Sequence, residues 1–207
     1  MKLLGRSASI NVRKVLWLLH ELGIPYEHEE WGSGELQLSD PTFLRLNPNA
    51  QVPVLVDGDL VLWESNAICR HLAAEAGRTD LLPPQASHER ARVEQWMDWQ
   101  STDLNSAWRY AFMARVRKHP EFADAASIQR SVLAWNRRMT LLNEHLVRCG
   151  PYVVGGQFTL ADIVLGLSLN RWLMTPIERP DLTHLDQYQA KLTEREGFRR
   201  YGANGTP

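Results

Sequence analysis

Between Gln51 and Ile68 the chain leaves few folds open. Val52-Pro53 begins an apolar run, Pro53-Val54-Leu55-Val56. Asp57-Gly58 interrupts it, Leu60-Val61-Leu62-Trp63 resumes it, and Glu64-Ser65-Asn66 follows. An Asp-Gly pair between two apolar runs predicts a β-hairpin, because glycine takes the positive φ that such turns demand. Pro53 has no amide to give a sheet ladder, so it belongs at the start of a strand, where Val52 can offer its backbone to something else. Ser65 is placed to be the N-cap of a helix through Ile68, Leu72 and Ala76. Free amides at that helix start favour a carboxylate, and Glu64 beside them favours an amine. Together they can grip an α-amino-acid group, with an extended peptide lying along Val52. That is a site for a small peptide.

Upstream, Lys2-Leu3-Leu4-Gly5 reads as a strand. Val12, Val15, Leu16, Leu19 and Leu22 share one helical face that stops at Gly23-Ile24-Pro25. Ser9 and Asn11 stand at the junction of strand and helix. Tyr26 to Trp31 reads as a second strand, parallel to the first because a helix separates them. A short helix is expected over Pro41 to Leu46. Residues 1–77 thus give a β-α-β-α-β-β-α order. Residues 78–87, with Pro83 and Pro84 among polar residues, read as a linker.

Residues 88–207 read as helical throughout. Val93, Trp96, Met97 and Leu104 recur at helical spacing in His88–Lys118, and Leu133, Leu141, Leu142 and Leu146 do so in Asp124–Cys149. Pro120 and Gly150-Pro151 close these stretches. Thr159 with Asp162 three residues on approximates a capping box and carries no expected catalytic role. The expectation is an α+β two-domain protein, a mixed N-terminal domain followed by an all-α bundle.

Composition narrows the function classes. The 207 residues can bury a substantial core. A net charge of −1 gives no reason to expect nucleic acid or an anionic membrane surface as a partner. No apolar run approaches the ~20 residues a spanning helix needs, and no signal-peptide core is evident, so a cytoplasmic protein is the default. Cys69 and Cys149 are far apart and form no CxxC pair, which argues against a disulfide framework and against dithiol chemistry.

Four pieces in order carry a resemblance: Ser9-Ile10-Asn11-Val12-Arg13-Lys14-Val15, Leu46-Asn47-Pro48-Asn49-Ala50-Gln51-Val52-Pro53, Trp63-Glu64-Ser65-Asn66-Ala67-Ile68, and Phe158-Thr159-Leu160-Ala161-Asp162-Ile163. In these the chain resembles the cytosolic glutathione S-transferases, particularly bacterial members with theta- or nu-like active sites. The resemblance implies a thioredoxin-like N-terminal domain and a homodimer. It implies glutathione as co-substrate with no cofactor, and a hydrophobic electrophile as second substrate. It also places the Val52 backbone, with Pro53 cis, against the cysteinyl part of glutathione, and Glu64 and Ser65 on the γ-glutamyl end. Related proteins often present a basic side chain to the glycyl carboxylate. Here Gly34 to Asp40 has none, leaving Gln37 or Arg45 as candidates.

The chemistry then asks for a donor at the sulfur. A thiol with the ordinary value of ~8.5 needs roughly 2.7 kcal/mol of thiolate stabilisation to ionise two units lower. One hydrogen bond to a charged group gives about 1.5–3 kcal/mol, so a hydroxyl or amide beside a helix N-terminus suffices. Ser9 is the first candidate and Asn11 the second, with Ser7 open to a slip of the loop; Arg13 can add positive potential. Trp99, Asp103, Trp108 and Tyr110, with Ala107 and Met113 in the wider pool, are the candidates for the second-substrate pocket. The apolar face from Val93 to Leu104 is the expected dimer surface, with Asp103 the candidate to reach a partner's γ-glutamyl amine. Glutathione-dependent disulfide or peroxide reduction, and a non-catalytic binding protein of the same fold, are the alternatives.

Overall fold

The alternating pattern of the first 77 residues folds into a four-stranded mixed sheet. The computed structural model describes all residues, 1–207. β1 (Lys2–Leu4) lies between β2 (Glu27–Glu29) and β3 (Val54–Asp57), and β4 (Leu60–Trp63) forms an edge, giving the order β2-β1-β3-β4. β1 runs parallel to β2, with Leu3 opposite His28, and antiparallel to β3, with Leu3 opposite Leu55. The hairpin β3–β4 turns at Gly58-Asp59, one residue later than expected, since Asp57 still pairs with Leu60; Gly58 takes φ 56°.

Strand alternation divides the core in two. Leu3 and Leu55 join the large cluster with α1 (Ile10–Leu22) and α3 (Ser65–Glu75), while Leu4 and Val54 face Trp31 and Phe43 of α2 (Pro41–Leu46). The Trp31 and Phe43 rings lie 5.1 Å apart. The α3 N-terminus differs from expectation by one residue. Glu64 occupies the N-cap position and Ser65 is already helical.

Beyond it come α4 (His88–Trp99), a π-helical segment (Gln100–Leu104), α5 (Asn105–Arg115), α6 (Ala125–Cys149), α7 (Leu160–Met174) and α8 (Thr183–Thr193). The expected single helix over 88–118 is therefore interrupted by a wider turn. α7 is buried on all sides, as its run Ile163-Val164-Leu165 requires.

The two halves share one core. Trp17 of α1 is fully buried, 5.7 Å from the Phe158 ring and 5.4 Å from the Phe198 ring. The approach is close enough that a Cβ on Gly197 would stand 2.3 Å from Trp17 Cδ1. Residues 78–87 are docked onto this core. Leu81 and Leu82 are buried, the Leu160 amide donates to Leu81 O at 3.0 Å, and Arg78 Nη1 donates to Glu21 O at 2.9 Å. The face offered for self-association is also core: Val93, Met97 and Leu104 are fully buried and α4 packs on α7.

Candidate functional site

The site grows from three chain segments that arrive at the sheet's edge with unused polar groups. At the first, the Val52-Pro53 bond is cis and β3 begins only at Val54. Neither the Val52 amide nor its carbonyl has a partner within the chain. Ala50, two residues earlier, holds φ 52°.

At the second, Glu64 holds φ 72°, a region that costs a non-glycine residue of order 1–3 kcal/mol. The first turn of α3 receives no side-chain cap, so its amides stay available. Glu64 is exposed and makes no ion pair, whereas Ser65 is buried. This helix start is anchored from behind. Asn66 Nδ2 donates to Met97 O at 2.9 Å, and Asn66 Oδ1 accepts from Lys14 Nζ at 3.4 Å. Lys14 is 1 % exposed and also donates to Gln100 Oε1 at 2.7 Å. Burial holds its ammonium pKa down to about 8. Gln100 Nε2 continues to Asn105 Oδ1 (2.9 Å), which also takes the Trp108 indole N–H (3.0 Å). A polar chain thus links the α3 start to α5.

The third segment is the start of α1. Ser9 is its N-cap, yet the hydroxyl makes no cap hydrogen bond, and the Asn11 side chain is likewise unpartnered. Both line a cleft of about 480 Å³ between the two halves, with Arg6, Ile10 and Gln51 on the same side and residues of α5 and α7 opposite. Ser7 is exposed and outside this cleft; its amide donates to Glu30 Oε2 at 2.9 Å. Arg13 does not line the cleft; it is 1 % exposed, with Nη1 donating to Thr206 O (2.7 Å) and Nη2 to Pro207 O (2.9 Å), so it ties down the C-terminal segment, while its charge lies near those of Arg117 and Arg171 on the cleft wall.

Of the second-substrate candidates, the cleft contains Trp108 and Met113. Trp99 packs edge-on against Trp96 at 5.1 Å, Tyr110 packs on Phe122 at 5.0 Å, and Asp103 pairs with Arg138 at 3.5 Å. A π segment bonds i to i+5 and so rotates the following face. Positions read at 3.6-residue spacing across Gln100–Leu104 therefore lose register. The lining that sequence reading missed comes from Ser101, Asn105, Arg109 and Arg117, with Phe112 and Arg171. A signal existed for the last: Arg171 is the lone cation and Asp162 the lone anion of an otherwise uncharged helix.

Gln37 is exposed and its amide closes onto Gly34 O in its own loop. Arg45 is exposed and reaches Thr42 Oγ1 at 3.4 Å. Burial pushes the Cys69 thiol up to about 12, opposite to what a nucleophile needs. Cys149 is a free thiol, half-buried. No three His, Cys, Asp or Glu side chains converge to hold a metal ion.

Residues 1–74 match the family model "Glutathione S-transferase, N-terminal domain". Glutathione S-transferase GstB of Escherichia coli (strain K12) is 36% identical over 202 residues, covering 95% of this chain and 94% of that one. Glutathione S-transferase 3 of Zea mays is 37% identical over 166 residues, 78% and 73% of the two chains. A crystal structure of the theta class glutathione S-transferase from Xanthomonas axonopodis pv. citri with glutathione bound superposes with a TM-score of 0.89. It is 39% identical and covers 97% and 96% of the two chains. The chain belongs to the glutathione S-transferase family, and both the thioredoxin-like N-terminal domain and the helical C-terminal domain follow that fold. No helix is long and apolar enough to cross a membrane.

Proposed function

We propose that this glutathione transferase binds glutathione along Val52 and the α3 start and places its sulfur between Ser9 and Asn11. The observation that carries the reading is that the Ser9 hydroxyl and the Asn11 amide, both without an intrachain partner, open onto one cleft beside Gln51-Val52. Ser9 O–H donates to the thiolate, Asn11 adds a second donor, and the α1 N-terminus supplies its partial positive charge. The thiol proton leaves to solvent. The thiolate attacks an electrophilic carbon in the cleft, forming the C–S bond as the leaving group departs with its electron pair. Glutathione conjugation of a generic aryl halide tests the reading: turnover above the uncatalysed rate is expected, and its absence with several aryl halides counts against it.

Glu64 and Ser65 hold the γ-glutamyl amine and carboxylate in this proposal, supported by the strained φ of Glu64 and the uncapped amides behind it. Replacing both with alanine is expected to weaken glutathione at least tenfold, about 1.4 kcal/mol, since two charge-assisted contacts are lost. Calorimetric titration with an unchanged Kd would remove that assignment. The glycyl carboxylate has no cationic side chain within the Gly34–Asp40 loop, and Gln37 remains its candidate there.

A homodimer belongs to the same reading, on a surface other than the α4 face. Edge strand β4 exposes Leu60, Val61 and Trp63 together, each 37–39 % accessible, beside the Glu64 corner. An apolar, unpaired sheet edge is normally covered. Light scattering is expected to give twice 23.7 kDa, and a mass near 23.7 kDa at micromolar concentration would refute the dimer. The two free thiols accord with a cytoplasmic location.

A further inference from the structure

The wall of the cleft facing Ser9 is strongly basic. Arg109, Arg117 and Arg171 line it, Arg6 stands across from them, and no Asp or Glu does. That concentration occurs in a chain whose net charge is −1. None of these four arginines forms an ion pair. Arg6 gives one hydrogen bond, Nη1 to Gly32 O at 3.1 Å.

Arg171 is the decisive one. It is 3 % exposed, its guanidinium donates to no acceptor in the chain, and its Nε is buried without a partner. Its guanidinium carbon lies over two aromatic rings, 4.1 Å from the Phe112 centroid and 4.5 Å from that of Trp108. Arg117 lies over Phe112 at 5.6 Å. Aromatic stacking satisfies the flat face of a guanidinium and leaves its N–H fork unused. A buried, uncompensated cation is costly, and the group that relieves it is an oxyanion matched to that fork. Burial, with Arg13 and Arg117 nearby, brings the Arg171 pKa down to about 9, so it still carries its charge at neutral pH.

We infer that the acceptor pocket selects electrophiles bearing a carboxylate, held by Arg171 with Arg109 and Arg117 while the reactive carbon faces the Ser9 end. This rests on the placement of the thiolate proposed above. It departs from the hydrophobic acceptor that the family resemblance implies, because the apolar lining is limited to Ile10, Trp108, Phe112 and Met113. The step itself is unchanged: the C–S bond forms, halide leaves with its electron pair, and the carboxylate takes no part in bond making.

A matched pair of reaction products tests it without requiring turnover: glutathione S-arylated with 4-carboxy-2,6-dinitrophenyl, and the corresponding carboxamide. By calorimetry the carboxylate conjugate is expected to bind at least tenfold tighter than the amide. Arg171→Met should bring that ratio to within about twofold of one. Arg109→Gln with Arg117→Gln, on the solvent side, should reduce it about threefold if burial makes Arg171 too costly to replace. Equal affinities of the two conjugates, or binding of neither, overturn the inference. So does Arg171→Met weakening free glutathione as much as the carboxylate conjugate, which would make the glycyl carboxylate the anion held. A carboxylate conjugate that binds tighter, in a protein that fails to conjugate chlorodinitrobenzoate, would instead refute the transfer reaction and leave the anion site standing.

Discussion

Replacing Asp162 with alanine will lower the unfolding free energy by about 3–5 kcal/mol, a large fraction of the roughly 5–15 kcal/mol that holds a typical domain folded. The carboxylate is fully buried and gathers four donors from three places in the chain. The Val153 amide reaches Oδ1 at 2.9 Å, the Tyr188 hydroxyl reaches Oδ1 at 2.9 Å, and the Thr159 amide and hydroxyl reach Oδ2 at 2.8 and 3.2 Å. Alanine strands these groups in the interior at about 1–3 kcal/mol each, offset in part because a buried charge disappears. Denaturant titration at neutral pH checks the loss, and a change under about 1 kcal/mol would mean that water replaces the carboxylate.

The same residue gives a pH dependence with a definite sign. Burial, working against those hydrogen bonds, raises the Asp162 pKa from 3.8 to about 6. The folded state therefore holds an extra proton between those values, and the stability this group contributes falls as pH rises through that window. Relative to Asp162→Asn, which does not titrate, the wild-type advantage should shrink by up to about 3 kcal/mol from about pH 4 to about pH 6 and stay level above. A difference that grows with pH would place the pKa below 3.8 instead.

Asp162 also shows what kind of information the sequence carries. Its spacing from Thr159 announces a helix start, because capping is local. Nothing local announces Tyr188 or Val153, which arrive through the tertiary fold. The hairpin around Gly58 is legible for the same reason that Gly23 ends α1: positive φ selects glycine. Glu64 breaks that rule with φ 72°, so the N-cap stands one residue before the Ser65 that capping preference favours. Arg13 and Lys14 were illegible as buried groups. A cation adjacent to an apolar helical face normally snorkels outward, and these two find their acceptors on the C-terminal segment, Gln100 and Asn66. In the acceptor pocket, the candidates lay along one helical stretch, and nothing local announced the π segment at Gln100–Leu104 or that Trp99 and Asp103 stay off the cleft while Trp108 lines it.

Ser9→Ala should lower kcat/KM near neutral pH by about 10- to 100-fold while changing glutathione affinity by less than about threefold. Ser9 sits at the α1 N-cap with its hydroxyl unspent on capping, so its removal costs the helix little. What it removes is a hydrogen bond to a developing thiolate, worth about 1.5–3 kcal/mol in favour of the charged form. Returning that energy moves the bound thiol pKa back up by one to two units, and the thiolate fraction falls in proportion. A profile of kcat/KM from about pH 5.5 to about pH 9 should therefore shift to higher pH, with the variant regaining most of its rate on the alkaline side. A role confined to capping would lower stability and leave that profile in place. If Asn11→Ala gives the shift and Ser9→Ala does not, the two donors exchange roles. If neither does, the sulfur is held by the backbone amides at the start of α1, the one remaining donor set that the helix presents to the cleft.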